Sequence, residues 1–546
     1  MVSFNGRYTR SAAGGMASGA DVTFGADVSS SPVYLNVEVI PSQSFARLML
    51  ALGRVVRMQD TGGERDHAAY QAWVQGEYLK ELPTQMAAGL MQVPALLAEK
   101  ERLDARAAEL RGVMNRFLWS DPLWDQRREF WAWLYNHNRD AWIVLDPIVS
   151  VQPDATFFEA FSLDESTYAR VKLPHEQTRT QAPPVYGTTN IDFSGALERE
   201  LVRTRPYRPL HLTVGADSVQ VDTGVSSTVE KKIDLPETWV RGLVEVQAAL
   251  SLAPTSLTLK ASALADVLAR LESEREKHGP RSLLFTLVPG ELPRVTVEPW
   301  GEEFVVADEP YSGAEPRSIK VWGRRRLRVL QDLLPLVSEV KVDLIDSGLP
   351  SFWSVELDGI ELTIGISGWT SQDWAGRARF SAMIPASAAP PEMVEAAATA
   401  LREQHTLSVD DAARILNVQP RDARTILQRL CVAGTAMFDP DGGIYRWRAL
   451  FPHLNLESGE GPGLEERRGV DMYRQGGTRI TSDELSPEGR EVDATVSDGE
   501  RTSNTRIRRD EDGRIVYAHC DCSHFRYHKL RLGPCRHIIA TSLAAG

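Results

Sequence analysis

Cys520-Asp-Cys-Ser-His-Phe-Arg-Tyr-His-Lys-Leu-Arg-Leu-Gly-Pro-Cys535-Arg-His537 is the stretch that decides how the end of this chain folds. It spells C-x-C-x12-C-x-H and holds three of the four cysteines, which chance would scatter over 546 residues. Three thiolates and one imidazole are a complete tetrahedral set for Zn2+, with Zn–S of about 2.3 Å and Zn–N of about 2.0 Å. A full set leaves no coordination position for water or substrate, so Cys520, Cys522, Cys535 and His537 read as ligands of a metal that folds the tail, not as an active site.

The flanks support this. Arg514–Cys520 alternates like a strand, with Ile515, Tyr517 and His519 on one side and Val516 and Ala518 on the other. Cys520 and Cys522 would then share one face of that strand. Gly533-Pro534 breaks the chain, and a short helix follows with Pro534 in its first turn, so that Cys535 and His537 come from the helix start. A redox cysteine pair with unrelated neighbours is the alternative, and His519, His524 and His528 are competing donors.

The spacing and its strand–strand–helix setting resemble the SWIM zinc finger, whose pattern is C-x-C-x(n)-C-x-H. All four ligand positions are filled, and residues 466–519 are similar to the strands that lead into that finger.

A chain of 546 residues is too long for one core, and a prior of about 150 residues per domain suggests three or four. The composition, 42% hydrophobic and 25% charged, is that of a soluble globular protein. The amino-terminal residues carry no apolar signal core, no apolar run is long enough to span a membrane, and cysteines best used on zinc fit a reducing compartment. A cytoplasmic location is expected. The net charge of −13 argues against general coating of nucleic acid, but the charge is uneven. Residues 456–500 carry twelve acidic side chains against five Arg, whereas 501–546 carry nine Lys or Arg against four acidic.

The reading along the chain is α+β and multidomain. Residues 1–193 form a mixed α/β region with strand-like Pro32–Ile40, a helix at Ser44–Met58 and a helical stretch over 67–118. In that stretch Leu96, Leu103, Leu110 and Phe117 repeat every seven, as in one arm of a helical hairpin or a zipper. Strands are expected again from Trp142 to Val149. Residues 194–385 form a second mixed α/β region, with strand Leu210–Val221, helices at Leu235–Ala249 and Leu259–Glu274, and strands at Ser282–Leu287, Arg294–Val297, Val337–Ile345, Trp353–Leu357 and Ile360–Ile366. Arg324-Arg-Arg-Leu-Arg328 is expected as the solvated start of a helix over Leu327–Leu334.

Residues 386–455 have the pattern of a winged helix-turn-helix. Ser408 caps a helix with Asp411 as its box partner, Asn417-Val-Gln makes the turn, Pro420 opens the third helix, Gly434 stops it, and Thr435–Phe438 and Ile444–Trp447 form the wing. Arg421, Arg424 and Gln428 would be the exposed reading residues, and Arg446 and Arg448 the wing contacts. Seven Arg against eight acidic residues over 391–455 makes this a poor phosphate binder. In the tail, Arg526, Lys529, Arg531 and Arg536 are the candidate nucleic-acid contacts. Residues 456–546 complete the organisation as the finger domain, of ββα type by resemblance.

No enzyme constellation is legible: there is no phosphate loop, no H-E-x-x-H and no G-x-S-x-G. Asp164-Glu165 and Asp358 read as surface or capping carboxylates, and Thr188-Thr-Asn-Ile-Asp192 as a turn with Asx bonding. No catalytic residue, membrane contact or small-molecule substrate is expected.

Five further phrases are similar to bacterial SWIM-finger proteins found beside MoxR-type AAA+ ATPases and von Willebrand A domain proteins. They are Val144-Leu-Asp-Pro-Ile-Val, Phe157-Phe-Glu-Ala-Phe-Ser-Leu-Asp-Glu-Ser, Gly187-Thr-Thr-Asn-Ile-Asp, Leu235-Pro-Glu-Thr-Trp-Val-Arg-Gly, and Leu349-Pro-Ser-Phe-Trp with Leu362-Thr-Ile-Gly-Ile-Ser-Gly-Trp-Thr. The resemblance implies a non-enzymatic component of an ATPase-linked system, of the kind turned against invading genetic elements. Two classes of function stand: an adaptor that docks protein partners, and a DNA-binding regulator that uses the winged helix and the finger together.

Overall fold

The computed structural model describes residues 33–58, 147–448 and 464–545, apart from short stretches within the last two. The heptad Leu96–Phe117, the helical stretch 67–118, residues 142–146 and Arg531 lie outside the described residues.

From the amino-terminal side run β1 (Tyr34–Val39), α1 (Ser42–Arg57), β2 (Ile148–Val151), β3 (Ala155–Phe161), β4 (Thr167–Pro174), β5 (Thr178–Val185), β6 (Gly187–Asn190), α2 (Gly195–Arg203), β7 (Leu210–Val214), β8 (Ser218–Asp222) and β9 (Ser227–Lys231). Next come α3 (Glu237–Leu250), β10 (Thr255–Lys260), α4 (Ala261–Ser273), β11 (Leu283–Leu287), β12 (Arg294–Val297), β13 (Glu302–Val305), β14 (Arg317–Val321), β15 (Glu339–Leu344), β16 (Ser351–Leu357) and β17 (Ile360–Ile366). These strands build a five-stranded sheet β5-β1-β7-β8-β9, an eight-stranded sheet β10-β15-β16-β17-β4-β3-β2-β6 and a four-stranded sheet β13-β12-β11-β14.

The division at residue 193 is corrected by this topology. Two of the sheets draw strands from both sides of it, and one buried core runs from Val33 to Ile384. Helix α1 packs on β3, β4 and β17, which joins the two expected regions through a common apolar layer. Local periodicity locates strands but not their partners, which are set by pairing at long sequence separation.

Three other expectations change here. Gly187–Asn190 is strand β6 paired to β2, where a turn was expected, with Thr188 and Ser150 hydroxyls 3.3 Å apart. Leu210–Val221 is a hairpin of two strands, β7 and β8. The basic run is a 3-10 stretch, Arg324–Leu330, with Arg324 and Arg326 buried instead of solvated. Gly323 at φ 76 turns the chain so that Arg324 donates to the Ser282 carbonyl at 2.7 Å and Arg326 to the Ser166 carbonyl at 3.4 Å. Asp164 does cap a turn, accepting from Ser162 and Ser166 hydroxyls at 2.7 Å each, and Asp358 accepts from Ser44.

A helical unit follows: α5 (Pro391–Gln404), β18 (Thr406–Leu407), α6 (Val409–Leu416), α7 (Pro420–Val432), β19 (Ala436–Asp439) and β20 (Ile444–Trp447), with strand order β18-β20-β19 and its own core. Its start and stop signals act as expected. The Ser408 hydroxyl accepts the Asp411 N–H at 3.1 Å, Asn417 is left-handed at φ 52, Pro420 is at the first turn of α7, and Gly434 at φ 72 ends it.

The carboxyl-terminal unit is α8 (Leu464–Arg474), the antiparallel meander β21 (Thr478–Ser486), β22 (Gly489–Asp498), β23 (Arg501–Arg509) and β24 (Ile515–Cys520), then α9 (Ser523–His528) and α10 (Arg536–Ala544). The opening of the expected strand region is thus helix α8, which packs on α10. Among the described residues no helix is long and apolar enough to cross a membrane.

Candidate metal centre

Each ligand of the Cys/His cluster sits where a secondary-structure element begins or ends. Cys520 is the last residue of β24, and Cys522 is the N-cap of α9. Cys535 is the N-cap of α10, and His537 lies in its first turn. The expectation that both early cysteines share a strand face is corrected: the strand ends at Cys520, and Cys522 belongs to the following cap. Simple alternation in β24 fails as well. A register shift opposite Arg508 and Arg509 lets Ile515, Ala518 and Cys520 all turn inward. Pro534 lies just outside α10, and Gly533 at φ 86 makes the turn that brings Cys535 back.

The four donor atoms lie within 4.8 Å of one another, with Cys520 Sγ and His537 Nδ1 3.8 Å apart. A tetrahedron with bonds of about 2.3 Å has edges of about 3.8 Å, so the cluster is close to the size a cation needs. Cys520, Cys535 and His537 are buried and Cys522 half-buried, which leaves little access for a substrate. Backbone N–H groups already point at sulfur, Cys522 N–H to Cys520 Sγ at 3.5 Å and Phe525 N–H to Cys522 Sγ at 3.4 Å. Hydrogen bonds from Cys520 and Cys535 hold the Cys522 thiol well below its usual range. Hydrogen bonding to Cys522 and Cys535 pushes Cys520 up, and burial pushes Cys535 up. Three sulfurs this close resist joint ionisation unless a cation compensates them, and three thiolates with one imidazole are a soft donor set. The residues fit a metal ion with a closed coordination sphere. It would tie β24, α9 and α10 together.

The competing histidines stand beside this set. The His524 and His528 rings lie 4.9 Å apart, tilted by 58°, and the His519 and Phe525 rings make a T-shaped contact at 5.7 Å.

Among the described residues, the expected nucleic-acid positions fall in two units, Arg526, Lys529 and Arg536 around α9 and α10 and Arg421 and Arg424 on α7. Arg526 and Lys529 are half-buried around α9, with Lys529 5.2 Å from the Phe525 ring centre. Arg536 clamps α10 to α8: its Nη2 and Nε reach the two Glu465 oxygens at 2.5 and 3.0 Å, its backbone N–H donates to Glu465 at 3.0 Å, and Nη1 lies 3.3 Å from Asp498. Arg421 is exposed at the start of α7, close enough that burial, with Arg490 and Arg421 beside it, lowers the Arg509 guanidinium to about 10. Arg424 is half-buried, and Gln428 is buried where exposure was expected.

The wing contacts are the largest correction. Arg446 and Arg448 are each 1% exposed, turned onto the eight-stranded sheet instead of into solvent. Arg446 makes a two-pronged contact with Asp154 and reaches Asp439 at 3.0 Å, while Arg448 donates to the buried Glu159. Asp439 also meets Lys172 at 3.0 Å and Arg170 at 3.4 Å. The Gln152 amide donates to the Trp447 carbonyl at 2.9 Å, and Gln247 accepts the Phe438 N–H at 2.6 Å. Sequence reading missed this interface. Its only local trace is the alternation of Arg446 and Arg448 with Tyr445 and Trp447, which looks the same whether the arginines meet phosphate or carboxylate.

No protein-family model matches the chain, and no curated protein matches it. Among solved structures, a crystal structure of proliferating cellular nuclear antigen from Entamoeba histolytica aligns with a TM-score of 0.29 and 12% identity, over 41% of this chain and 89% of that one. At that score the likeness transfers neither fold nor function.

Proposed function

We propose that this protein is a non-enzymatic, zinc-binding adaptor whose carboxyl-terminal unit is a SWIM-type finger and whose helical unit is a winged helix-turn-helix used for docking. The observation that carries the reading is the complete, largely buried Cys520–Cys522–Cys535–His537 set, which with a metal bound would tie the tail together and keep no position for a reacting ligand. The zinc assignment rests on the sulfur-rich donors at this spacing. The partner assignment, a MoxR-type AAA+ ATPase or a von Willebrand A protein met mainly by residues 1–385, rests on the resemblance of the phrases quoted above. The DNA-binding alternative is weakened by a specific observation: both wing arginines are buried against Asp154 and Glu159, and Arg536 is held by Glu465.

The test is metal analysis of the purified chain beside Cys522→Ser. One zinc per chain is expected in the wild type, and loss of the metal with unfolding of 464–545 is expected in the variant. Stoichiometric zinc in Cys522→Ser would defeat the assignment. For the adaptor role, co-purification with the ATPase should survive deletion of 456–546 and fail on deletion of 1–190. The reverse pattern would make the finger the docking element.

A further inference from the structure

The sequence holds four cysteines, and all but Cys522 are buried. Cys431 is enclosed in the core of the helical unit, and burial pushes its thiol up to about 12, so it is out of reach of a polar oxidant and a poor nucleophile. Cys520 and Cys535 are buried within the candidate metal centre. Cys522 is the half-buried member of that centre, the N-cap of α9, and takes the Phe525 N–H on its sulfur at 3.4 Å. A soluble oxidant therefore meets one sulfur first. Reversible thiol sensing uses that arrangement, an accessible sulfur with a second one poised beside it.

The donor atoms of the cluster all lie within 4.8 Å of one another, so Cys522 has two candidate partners. Closing that gap to an S–S bond of about 2.05 Å is within the reach of side-chain rotation. A C-x-C pair leaving a strand spans up to about 7 Å between Cα atoms, at the edge of the about 4.4–6.8 Å that a disulfide takes, which disfavours Cys520. Cys520 Sγ is also engaged, accepting the Cys522 N–H at 3.5 Å and lying 3.8 Å from His537 Nδ1. Cys535 lies far enough along the chain that no short-ring limit applies. It is the N-cap of α10, which Arg536 and Glu465 hold against α8 and the Thr541 hydroxyl, 2.6 Å from Thr505, holds against β23. A Cys522–Cys535 bond would join the starts of α9 and α10, the two helices that a metal would join.

We propose that Cys522 and Cys535 form a peroxide-operated thiol switch that expels the metal. The Cys522 thiolate attacks one oxygen of hydrogen peroxide, the O–O bond breaks, and a sulfenic acid forms while the other oxygen leaves as water. The Cys535 sulfur then attacks the sulfenic sulfur, the S–S bond forms, and the second oxygen leaves as water. Two electrons pass from the pair of sulfurs to the peroxide. The protons for the two waters come from the thiols or, where a metal holds thiolates, from solvent. Cys520 and His537 are left as two donors, too few to close a zinc sphere. Expulsion of the metal rests on the zinc reading above, whereas the disulfide does not.

The test uses the full-length chain, assayed for zinc and then treated with hydrogen peroxide in the presence of a chromogenic chelator. One intramolecular disulfide should form, mapped by peptide mass to Cys522 and Cys535, with one zinc released for each disulfide. Dimedone added early should label Cys522 at least about tenfold more than Cys520, Cys535 or Cys431. Circular dichroism should be retained, because the disulfide replaces the metal as the tie, and dithiothreitol with zinc should restore the starting state. Cys431→Ser should behave as wild type, and Cys535→Ser should accumulate the Cys522 sulfenic acid; the wild-type arms decide the question even where Cys535→Ser does not fold. A chain that holds no zinc yet forms the same disulfide would count against the zinc reading and support the thiol pair. A disulfide through Cys520 or Cys431, a bond between two chains, irreversible oxidation of Cys522 without a disulfide, or zinc retained once the disulfide has formed would overturn the inference.

Discussion

Arg448→Met isolates what holds the helical unit on the sheet. Arg448 and Glu159 are both buried, and Arg448 donates to a Glu159 oxygen while Tyr168 donates to the other at 2.6 Å. Removing the guanidinium leaves a buried carboxylate with one neutral donor beside Phe157 and Met437, and breaking such a pair costs about 3–5 kcal/mol. The surviving Tyr168 bond favours the lower end, about 3 kcal/mol, or about a hundredfold in the equilibrium between the docked and open β19–β20 hairpin. Native-state hydrogen exchange reads this directly, because the Phe438 N–H that donates to Gln247 loses its partner when the β19–β20 hairpin opens. Protection over 436–447 should fall by about two orders of magnitude in Arg448→Met, with β11 and β12 unchanged. Adding Glu159→Gln removes the stranded charge and keeps an acceptor for Tyr168, so at least half of the lost protection should return. Protection within threefold of wild type in the single variant, or a double variant as open as the single, would refute the reasoning.

Acid should open the same interface. Burial raises the Asp439 carboxyl, but Arg170, Lys172 and Arg446 together hold it below the usual range, and Asp154 is likewise held down by Arg446 against its burial. A depressed carboxyl contributes stability above its unfolded value of about 3.9 that is lost as pH falls through the folded value, so the β19–β20 hairpin should stay docked at neutral pH and loosen only below about pH 4. Opening near pH 6 by the same exchange readout would point to other groups. Glu465→Ala removes three donors' acceptor at the α8–α10 clamp, which should cost about 1–3 kcal/mol in urea unfolding of the carboxyl-terminal unit; a change under about 0.5 kcal/mol would show that the clamp is ornamental. If duplex DNA binds at all, charge reversal at Arg526 and Lys529 should weaken it more than reversal at Arg421 and Arg424, and each lost phosphate contact should reduce the salt slope by about one; the opposite order in a salt titration would put the helical unit at the phosphate.

Much of this protein is local, and the sequence carries what is local. The spacing of Cys520, Cys522, Cys535 and His537 identified the cluster because ligands on short turns between a strand end and two helix starts need no distant partner. Ser408, Asn417, Pro420 and Gly434 set the boundaries of the two helices within residues 409–432 for the same reason, since caps and turns are decided within a few residues. Strands β12, β17 and β20 fell at the expected residues. Tertiary structure decided what those elements face. Whether an arginine meets solvent, phosphate or a carboxylate depends on what packs against it, and Arg324, Arg446, Arg448 and Arg536 all found partners supplied by residues far away in sequence, Ser282, Asp154, Glu159 and Glu465. The same holds for the sheets. Alternation places Lys341, Ser354 and Thr363 each on one face of its strand, but only long-range register sets them side by side with Arg170 across β15, β16, β17 and β4.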